Sequence, residues 1–346
     1  MNSHRPTIIV DVDPELSFET NGVLRKIFNF FENGKFQTAL ESLHNIKINS
    51  LKPSEQVILK LFTGEIYEKM GYFLKALQNY RMARELAVKI KKVDLANVAR
   101  IKVGRINIAM GHIDVGLKQL KNLASESGIL LNNELFANTL NAIGYGYRVA
   151  GNRKMALRYI DMATGLFGKK HDISIKTEFA VLHNKAGLLR ETSNYDDALK
   201  IYLFLIKRVN KNNTFFRARL LNNIGFIFRK QGQYRRARIY YTKAHKLERD
   251  INARQLQART LNNLGGVSRM EGDLTKALEY FNESVRIRKQ LHDQLGLSSS
   301  LLNKGILLKQ MGKKKTGEKY LIQSYKIRKL SGSKHMLREV LAELKN

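Results

Sequence analysis

Residues 220–245 read LLNNIGFIFRKQGQYRRARIYYTKAH, and this stretch decides the fold. Apolar side chains from Leu221 to Phe228 recur at the spacing of one helix face. Gly232 then interrupts the pattern, because glycine is poor inside a helix and forms turns readily. From Tyr234 to Ala244, aromatic and small residues recur every three or four positions. The stretch therefore predicts two helices joined by a short turn.

The same pattern recurs about every forty residues, and small residues mark it in three columns. The first column consists of Gly64, Gly104, Gly144, Gly225, Gly265 and Gly305, with Ile27 and Ala186 at the two places that lack glycine. Seven residues later in each repeat comes the second column, which consists of Gly34, Gly71, Gly111, Gly151, Ser193, Gly232, Gly272 and Gly312. The third column follows twelve residues after the first and is Ala or Gly throughout, as at Ala237. Such repetition is typical of stacked helix pairs, in which small residues let two helices approach closely.

Charge is high and unevenly distributed along the chain. The 346 residues carry 61 Lys and Arg against 30 Asp and Glu, for a net charge of +31. Residues 201–346 hold 32 of the basic side chains and only 10 of the acidic ones. A field of this sign attracts polyanions. We therefore expect an acidic partner that meets the C-terminal half.

The composition also indicates where the protein works. The sequence has no cysteine, so disulfides and thiolate metal sites are excluded, in keeping with a reducing compartment. Neither a signal-peptide pattern nor an apolar run of membrane-spanning length occurs. We expect a cytoplasmic protein without membrane insertion; the oligomeric state is left open.

The columns resemble the tetratricopeptide repeat, which has small residues at its positions eight, twenty and twenty-seven and a large residue at twenty-four. One repeat carries the pattern in Gly265, Ala277, Phe281 and Ser284, and another carries it in Gly64, Ala76, Tyr80 and Ala83. The family's closing proline is absent, and the longer period is similar to Rap-type bacterial peptide sensors and to polarity and kinesin light chain adaptors. The resemblance implies an all-α fold, a right-handed α-solenoid whose inner groove binds extended peptides.

The predicted domain organisation follows from the repeat boundaries. Residues 1–20 are expected to form an extended arm with a β-like stretch at Thr7–Val10. Residues 21–330 hold about eight helix pairs. Residues 331–346 are expected to form a capping helix that covers the last repeat with Leu337, Leu341 and Leu344.

Polar residues form ladders at fixed places in the first helix of each repeat. Two residues before the first column, later repeats carry Asn184, Asn223, Asn263 and Asn303. Four residues after the column lie Arg148, Arg190, Arg229, Arg269 and Lys309, and six residues before it lie Arg219 and Arg259. Asparagine matches both groups of an extended backbone, and arginine binds carboxylates. We predict that these ladders bind an acidic, extended peptide or protein segment in the concave groove of the C-terminal repeats.

Two alternatives remain open for these residues. The asparagines can instead tie neighbouring helices together, and the arginines can form a solvated face. Against this, earlier repeats hold unrelated residues at the asparagine position, namely Arg25, Phe62, Lys102 and Ala142. The fold therefore does not require the ladder, and this contrast favours a ligand groove.

Other function classes have weaker support. Basic clusters at Lys169–Lys170, Arg235–Arg236 and Lys313–Lys315 make RNA or DNA binding the alternative function. A peptide-pheromone sensor of the Rap type is a third possibility, although no output module is recognisable. The histidines lack metal-ligand spacing and no nucleophile motif occurs. We expect no catalysis, no metal and no cofactor.

Overall fold

The computed structural model describes residues 26–27, 30–31, 36–46, 51–126, 132–167, 173–330 and 334–345. The predicted arm at 1–20 lies outside the described residues, as does the basic pair Lys169–Lys170. Within the described ranges the chain is helical and contains no strand. The predicted all-α class is therefore confirmed for this part of the chain.

The helices follow one another in antiparallel pairs. The first five are α1 (Phe36–His44), α2 (Pro53–Met70), α3 (Phe73–Lys89), α4 (Val93–Ala109) and α5 (Ile113–Ser125). The next five are α6 (Asn133–Val149), α7 (Arg153–Thr164), α8 (Ile175–Glu191), α9 (Tyr195–Arg208) and α10 (Thr214–Lys230). The last six are α11 (Tyr234–Asp250), α12 (Arg254–Met270), α13 (Leu274–Gln290), α14 (Gln294–Gln310), α15 (Lys314–Leu330) and α16 (Lys334–Lys345). Each even-numbered helix from α2 to α14 is the first of a pair, and the helix after it is the second.

The second column forms the turn within each pair. Its described glycines all have positive φ, from +74° at Gly232 to +96° at Gly111. Glycine adopts this left-handed conformation without the steric cost that a Cβ brings. After α10, the amide of Gly232 donates to the carbonyl of Arg229, and the amide of Gln233 donates to that of Phe228. These bonds satisfy carbonyls that the end of the helix leaves open.

The first and third columns set the distance between paired helices, as predicted. A Cβ added at Gly317 would lie 2.7 Å from the carbonyl oxygen of Gly305, so the two backbones touch there. A Cβ at Gly265 would lie 2.6 Å from the ring of Phe281. Small residues are therefore required where backbones or large rings fill the space between α12 and α13 or α14 and α15.

The helices group into two compact units, Pro6–Leu205 and Ile206–Asn346. In the first unit, Leu61, Tyr80 and Val103 belong to one buried cluster. In the second unit, Ala277, Phe281 and Leu307 pack together. Each cluster draws on successive helix pairs, as expected for a stacked array.

The last helix, α16, packs on the end of the second unit, but not through all of the predicted residues. Val340 is fully buried and packs with Leu302 and Leu321, and Leu344 lies beside them. Leu341 is 42% exposed, so its assignment to the packed face is wrong. The buried face of α16 is centred one residue earlier than the leucine spacing suggested.

No helix in the described part of the chain is long and apolar enough to cross a membrane.

Candidate ligand-binding face

In the second unit, α10, α12 and α14 lie side by side and present a common polar surface. We call it the first-helix face, and it comprises Arg219, Asn223, Arg229, Arg259, Asn263, Arg269, Asn303 and Lys309. Of these, Arg219 is buried and the other seven are half-buried. The asparagine ladder, the Arg/Lys ladder and the positions of Arg219 and Arg259 are therefore brought onto one set of adjacent helices.

The asparagine ladder also ties neighbouring helices together. Nδ2 of Asn263 donates to Oδ1 of Asn222 at 3.3 Å, and Nδ2 of Asn303 donates to Oδ1 of Asn262 at 3.1 Å. Each such bond runs from one first helix to the first helix before it. An amide has two N–H donors and an oxygen acceptor. The bond between helices therefore uses one donor and fixes the orientation of the rest.

The first unit holds the same bond in a more buried setting. Nδ2 of Asn184 donates to Oδ1 of Asn141 at 2.9 Å. Asn184 is 5% exposed and therefore offers little of its amide to a ligand. Asn184 therefore fits the alternative interpretation, in which the asparagine joins two helices.

The accepting asparagines were missed from the sequence, although a signal was present. Asn222 and Asn262 each stand one residue before a ladder asparagine, so two repeats carry an Asn-Asn pair. Asn141 holds the same position in its repeat. Of the pair Asn262–Asn263, the first asparagine bonds to the next first helix and the second bonds to the preceding one.

Earlier repeats fill this contact with charge instead. The Nζ of Lys102, at the asparagine position, lies 3.2 Å from Oε2 of Glu65, and Arg105 lies 3.2 Å from Glu68. Lys102 is 1% exposed, and burial lowers its pKa although Glu65 opposes the shift. Between α2 and α4, ion pairs therefore take the place of the bond between asparagines.

Two members of the arginine ladder are paired within the chain. Arg148 donates from Nε to Oε2 of Glu191 at 2.9 Å, and its Nη2 also bonds that carboxylate. Lys309 donates to the backbone carbonyl of Glu343 at 2.8 Å, in the last turn of α16. A lysine at this place satisfies a carbonyl at a helix C-terminus. Both side chains thus have structural partners.

The other ladder arginines differ in their surroundings. Arg190 is half-buried on α8 in the first unit. In the second unit, the guanidinium of Arg229 lies 5.4 Å from the ring centroid of Phe226. Arg269 makes no ion pair with any described residue. Glu191, the partner of Arg148, stands five residues after the first-column residue of the next repeat. In the repeats that follow Arg229 and Arg269, the same place is held by Met270 and Gln310.

A chain of hydrogen bonds leads from the asparagines to a buried carboxyl. Nδ2 of Asn222 donates to Oγ1 of Thr260 at 2.5 Å, and that hydroxyl donates to Oε1 of Glu248 at 2.8 Å. Glu248 is fully buried, and its Oε2 has no hydrogen-bond partner among the described residues. Burial raises the pKa of Glu248 to about 7, although Thr260 and Arg259 oppose the shift.

The outer basic clusters are placed differently. Arg235 and Arg236 are exposed at the start of α11, and Arg236 lies 4.2 Å from the ring centroid of Phe228. Tyr241 is fully buried, so it offers no stacking surface to a nucleic acid base. The described residues contain no group of three His, Asp or Glu side chains that could hold a metal ion.

The fold has many solved relatives of low sequence identity. The apo quorum sensor NprR from B. thuringiensis is 18% identical, with a TM-score of 0.61 over 96% of this chain and 93% of that one. A Rap protein in complex with competence and sporulation factor is 13% identical, with a TM-score of 0.56 over 94% of this chain and 96% of that one. A signal-transduction ATPase with a tetratricopeptide repeat sensor from Pyrococcus horikoshii is 14% identical, with a TM-score of 0.64. The match covers 91% of this chain and 52% of that ATPase. These similarities concern the fold.

No curated protein sequence matches the chain significantly. At the sequence level, residues 177–250 and 256–331 match the tetratricopeptide repeat family. These stretches cover the three helix pairs of the second unit, from α10 to α15, except for the first two residues of α12. The helix pairs, their small-residue columns and this match together identify the matched part of the chain, residues 177–250 and 256–331, as tetratricopeptide repeats.

Proposed function

We propose that the protein is an adaptor or sensor whose first-helix face binds an acidic, extended segment of a partner protein or a peptide. One observation carries the proposal. Asn263 and Asn303 stand at equivalent places on adjacent helices, half-buried, each with one N–H held by the preceding helix. The remaining amide groups are suited to the C=O and N–H of an extended backbone.

The charge of the face supports an acidic ligand. Arg229 and Arg269 flank the asparagines and form no ion pair with described residues. The second unit holds 32 Lys and Arg against 10 Asp and Glu. Each charge-assisted hydrogen bond contributes about 1.5–3 kcal/mol and each neutral one about 1 kcal/mol. After ordering costs, a few such bonds suffice for roughly micromolar binding.

The structural neighbours support a ligand-binding role for the same fold. One is described as a quorum sensor, and another was solved in complex with competence and sporulation factor. Rap-type sensors and kinesin light chain adaptors, which the repeat resembles, bind extended peptides in the inner groove. The proposal assigns a binding role to this chain and no catalytic one.

The test compares the full chain with variants of the face. The probe is a blocked decapeptide that alternates serine with aspartate, and its binding is followed by fluorescence anisotropy in about 0.15 M salt, where the Debye length is about 8 Å. Combining Asn223→Ala with Asn263→Ala should weaken binding about tenfold or more, because two backbone contacts are lost. Unchanged affinity would refute the proposed face.

The matched control is Asn222→Ala. It breaks the same bond to Asn263 from the buried side, together with the bond from Asn222 to Thr260, and leaves the amide of Asn263 in place. If Asn222→Ala weakens binding as much as the combination of Asn223→Ala with Asn263→Ala, the asparagines act only as ties between helices. A decauridylate RNA that competes with the peptide and ignores the asparagine changes would favour nucleic-acid binding through the outer surface.

A further inference from the structure

Arg148 shows what an arginine at this position of the repeat binds when another residue of the protein is its partner. Its guanidinium makes a bidentate pair with the carboxylate of Glu191. Gly187 lies beside this pair, since a Cβ added there would stand 3.5 Å from Nη1 of Arg148. Three repeat positions therefore form a carboxylate site. One is the arginine four residues after the first-column residue of a repeat. The other two are the glycine and the glutamate that stand one and five residues after the first-column residue of the next repeat.

The second unit keeps the arginine and the glycine of this site but lacks the glutamate. Arg229 is the equivalent of Arg148, and Gly266 is the equivalent of Gly187. The place of Glu191 is taken by Met270, which is 50% exposed. A thioether is a weak acceptor and does not replace a carboxylate.

Arg229 correspondingly lacks a hydrogen-bond acceptor for one of its N–H groups. Its Nε is buried and has no hydrogen-bond partner among the described residues. The ring of Phe226 lies against the guanidinium and limits its access to water. A buried donor without a partner is unfavourable, and the cost is greater when the group is charged.

Gly266 has no packing reason within the described chain. Its neighbour Gly265 must be small because Phe281 occupies the space where a Cβ would point. At Gly266, by contrast, an added Cβ would meet nothing within 4 Å. Glycine is unfavourable inside a helix, so its presence here is unexplained by the fold and leaves open space on the face.

We propose that Arg229, Phe226 and Gly266 form a subsite for a side-chain carboxylate of the bound peptide. The ligand supplies the group that Glu191 supplies to Arg148, and Gly266 leaves room for it. This subsite rests on the proposed function and adds the position at which an Asp or Glu of the partner is recognised.

The first test needs no ligand. Met270→Glu places a carboxylate where Glu191 stands in the other unit, so it should raise the Tm by a few degrees at neutral pH. The gain should vanish in the Arg229→Gln background and at a pH that protonates the glutamate. Gln323→Glu adds the same charge at an exposed position on α15. Its effect on the Tm should be the same in the wild-type and the Arg229→Gln backgrounds. A Tm gain that is independent of Arg229 would overturn the subsite.

The second test uses three decapeptides in the anisotropy assay. One is blocked and alternates serine with aspartate, one is blocked and alternates serine with asparagine, and the third is the asparagine peptide with a free C-terminal carboxylate. The aspartate peptide should bind most tightly, and Met270→Glu should weaken it about tenfold, the size expected for one charged hydrogen-bonded pair. Tighter binding of the free-acid peptide would assign the subsite to a chain terminus and overturn the side-chain assignment.

The controls separate the subsite from general charge. Gly266→Ala should raise the Tm yet weaken the aspartate peptide, because the methyl group enters the open space that the proposal assigns to the carboxylate. Equal losses in Met270→Glu and Gln323→Glu would mean that binding follows net charge, and the subsite would be refuted. If the wild-type chain binds none of the peptides, the proposed function fails with it; if it binds and Met270→Glu has no effect, only the subsite fails.

Discussion

Glu248 is a residue whose buried environment changes its acid–base chemistry strongly from that in water. Its carboxyl is fully buried, has one hydrogen bond from Thr260 and leaves one oxygen without a partner. Burial raises its pKa from 4.5 to about 7. Because the folded protein then holds the proton more tightly than the unfolded chain, the stability contribution is complete below about pH 4.5 and is lost as the pH rises to 7.

We therefore expect the free energy of unfolding to fall by about 3 kcal/mol between pH 4.5 and 8 on account of this group. Glu248→Gln cannot ionise, so it should remove this fall and be more stable than the wild type at pH 8 but not at pH 4.5. Chemical unfolding at the two pH values measures the difference. An identical pH dependence in both proteins would mean that Glu248 is ionised in the fold without cost.

At the scale of elements, the turn within each helix pair has one exception to its glycine. Ser193 joins α8 and α9 with a φ of +62°, where its Cβ is strained. Ser193→Gly should raise the free energy of unfolding by about 0.5–1 kcal/mol, since the relief of strain exceeds the greater freedom of glycine in the unfolded chain. Thermal unfolding measures the gain.

The matched control stands in the turn between α10 and α11. Gly232 has a φ of +74° and open space around its Cα, so Gly232→Ala adds backbone strain without a clash. It should lower the free energy of unfolding by about 1 kcal/mol. Changes of the same sign in both variants would contradict a conformational origin.

At the scale of the whole molecule, a stacked array is stabilised mainly by contacts between neighbouring repeats. Phe281 is 1% exposed and fills the space that Gly265 leaves, so Phe281→Ala should cost about 3–5 kcal/mol. Hydrogen exchange should report the loss in α12 to α14 and leave α2 to α5 protected as before. Uniform loss of protection along the chain would indicate one cooperative unit instead.

The helices and turns were predictable because their causes are local. The spacing of apolar residues sets each helix, and the glycines of the second column end it, within about a dozen residues of sequence. The close approach of paired helices followed from the small residues of the other two columns. The buried face of α16 was misplaced because Val340 and Leu341 are adjacent, and helical spacing alone does not choose between them.

The sequence by itself determined the repeat, the all-α fold and the positions of the polar ladders. Only the tertiary structure decided which ladder side chains are already partnered, because hydrogen bonds between helices join residues about forty positions apart. Arg148 and Arg229 look equivalent in the sequence, yet one faces Glu191 and the other has Met270 at that place. Stacking the helices turns this single difference into a paired arginine in one unit and a candidate carboxylate site in the other.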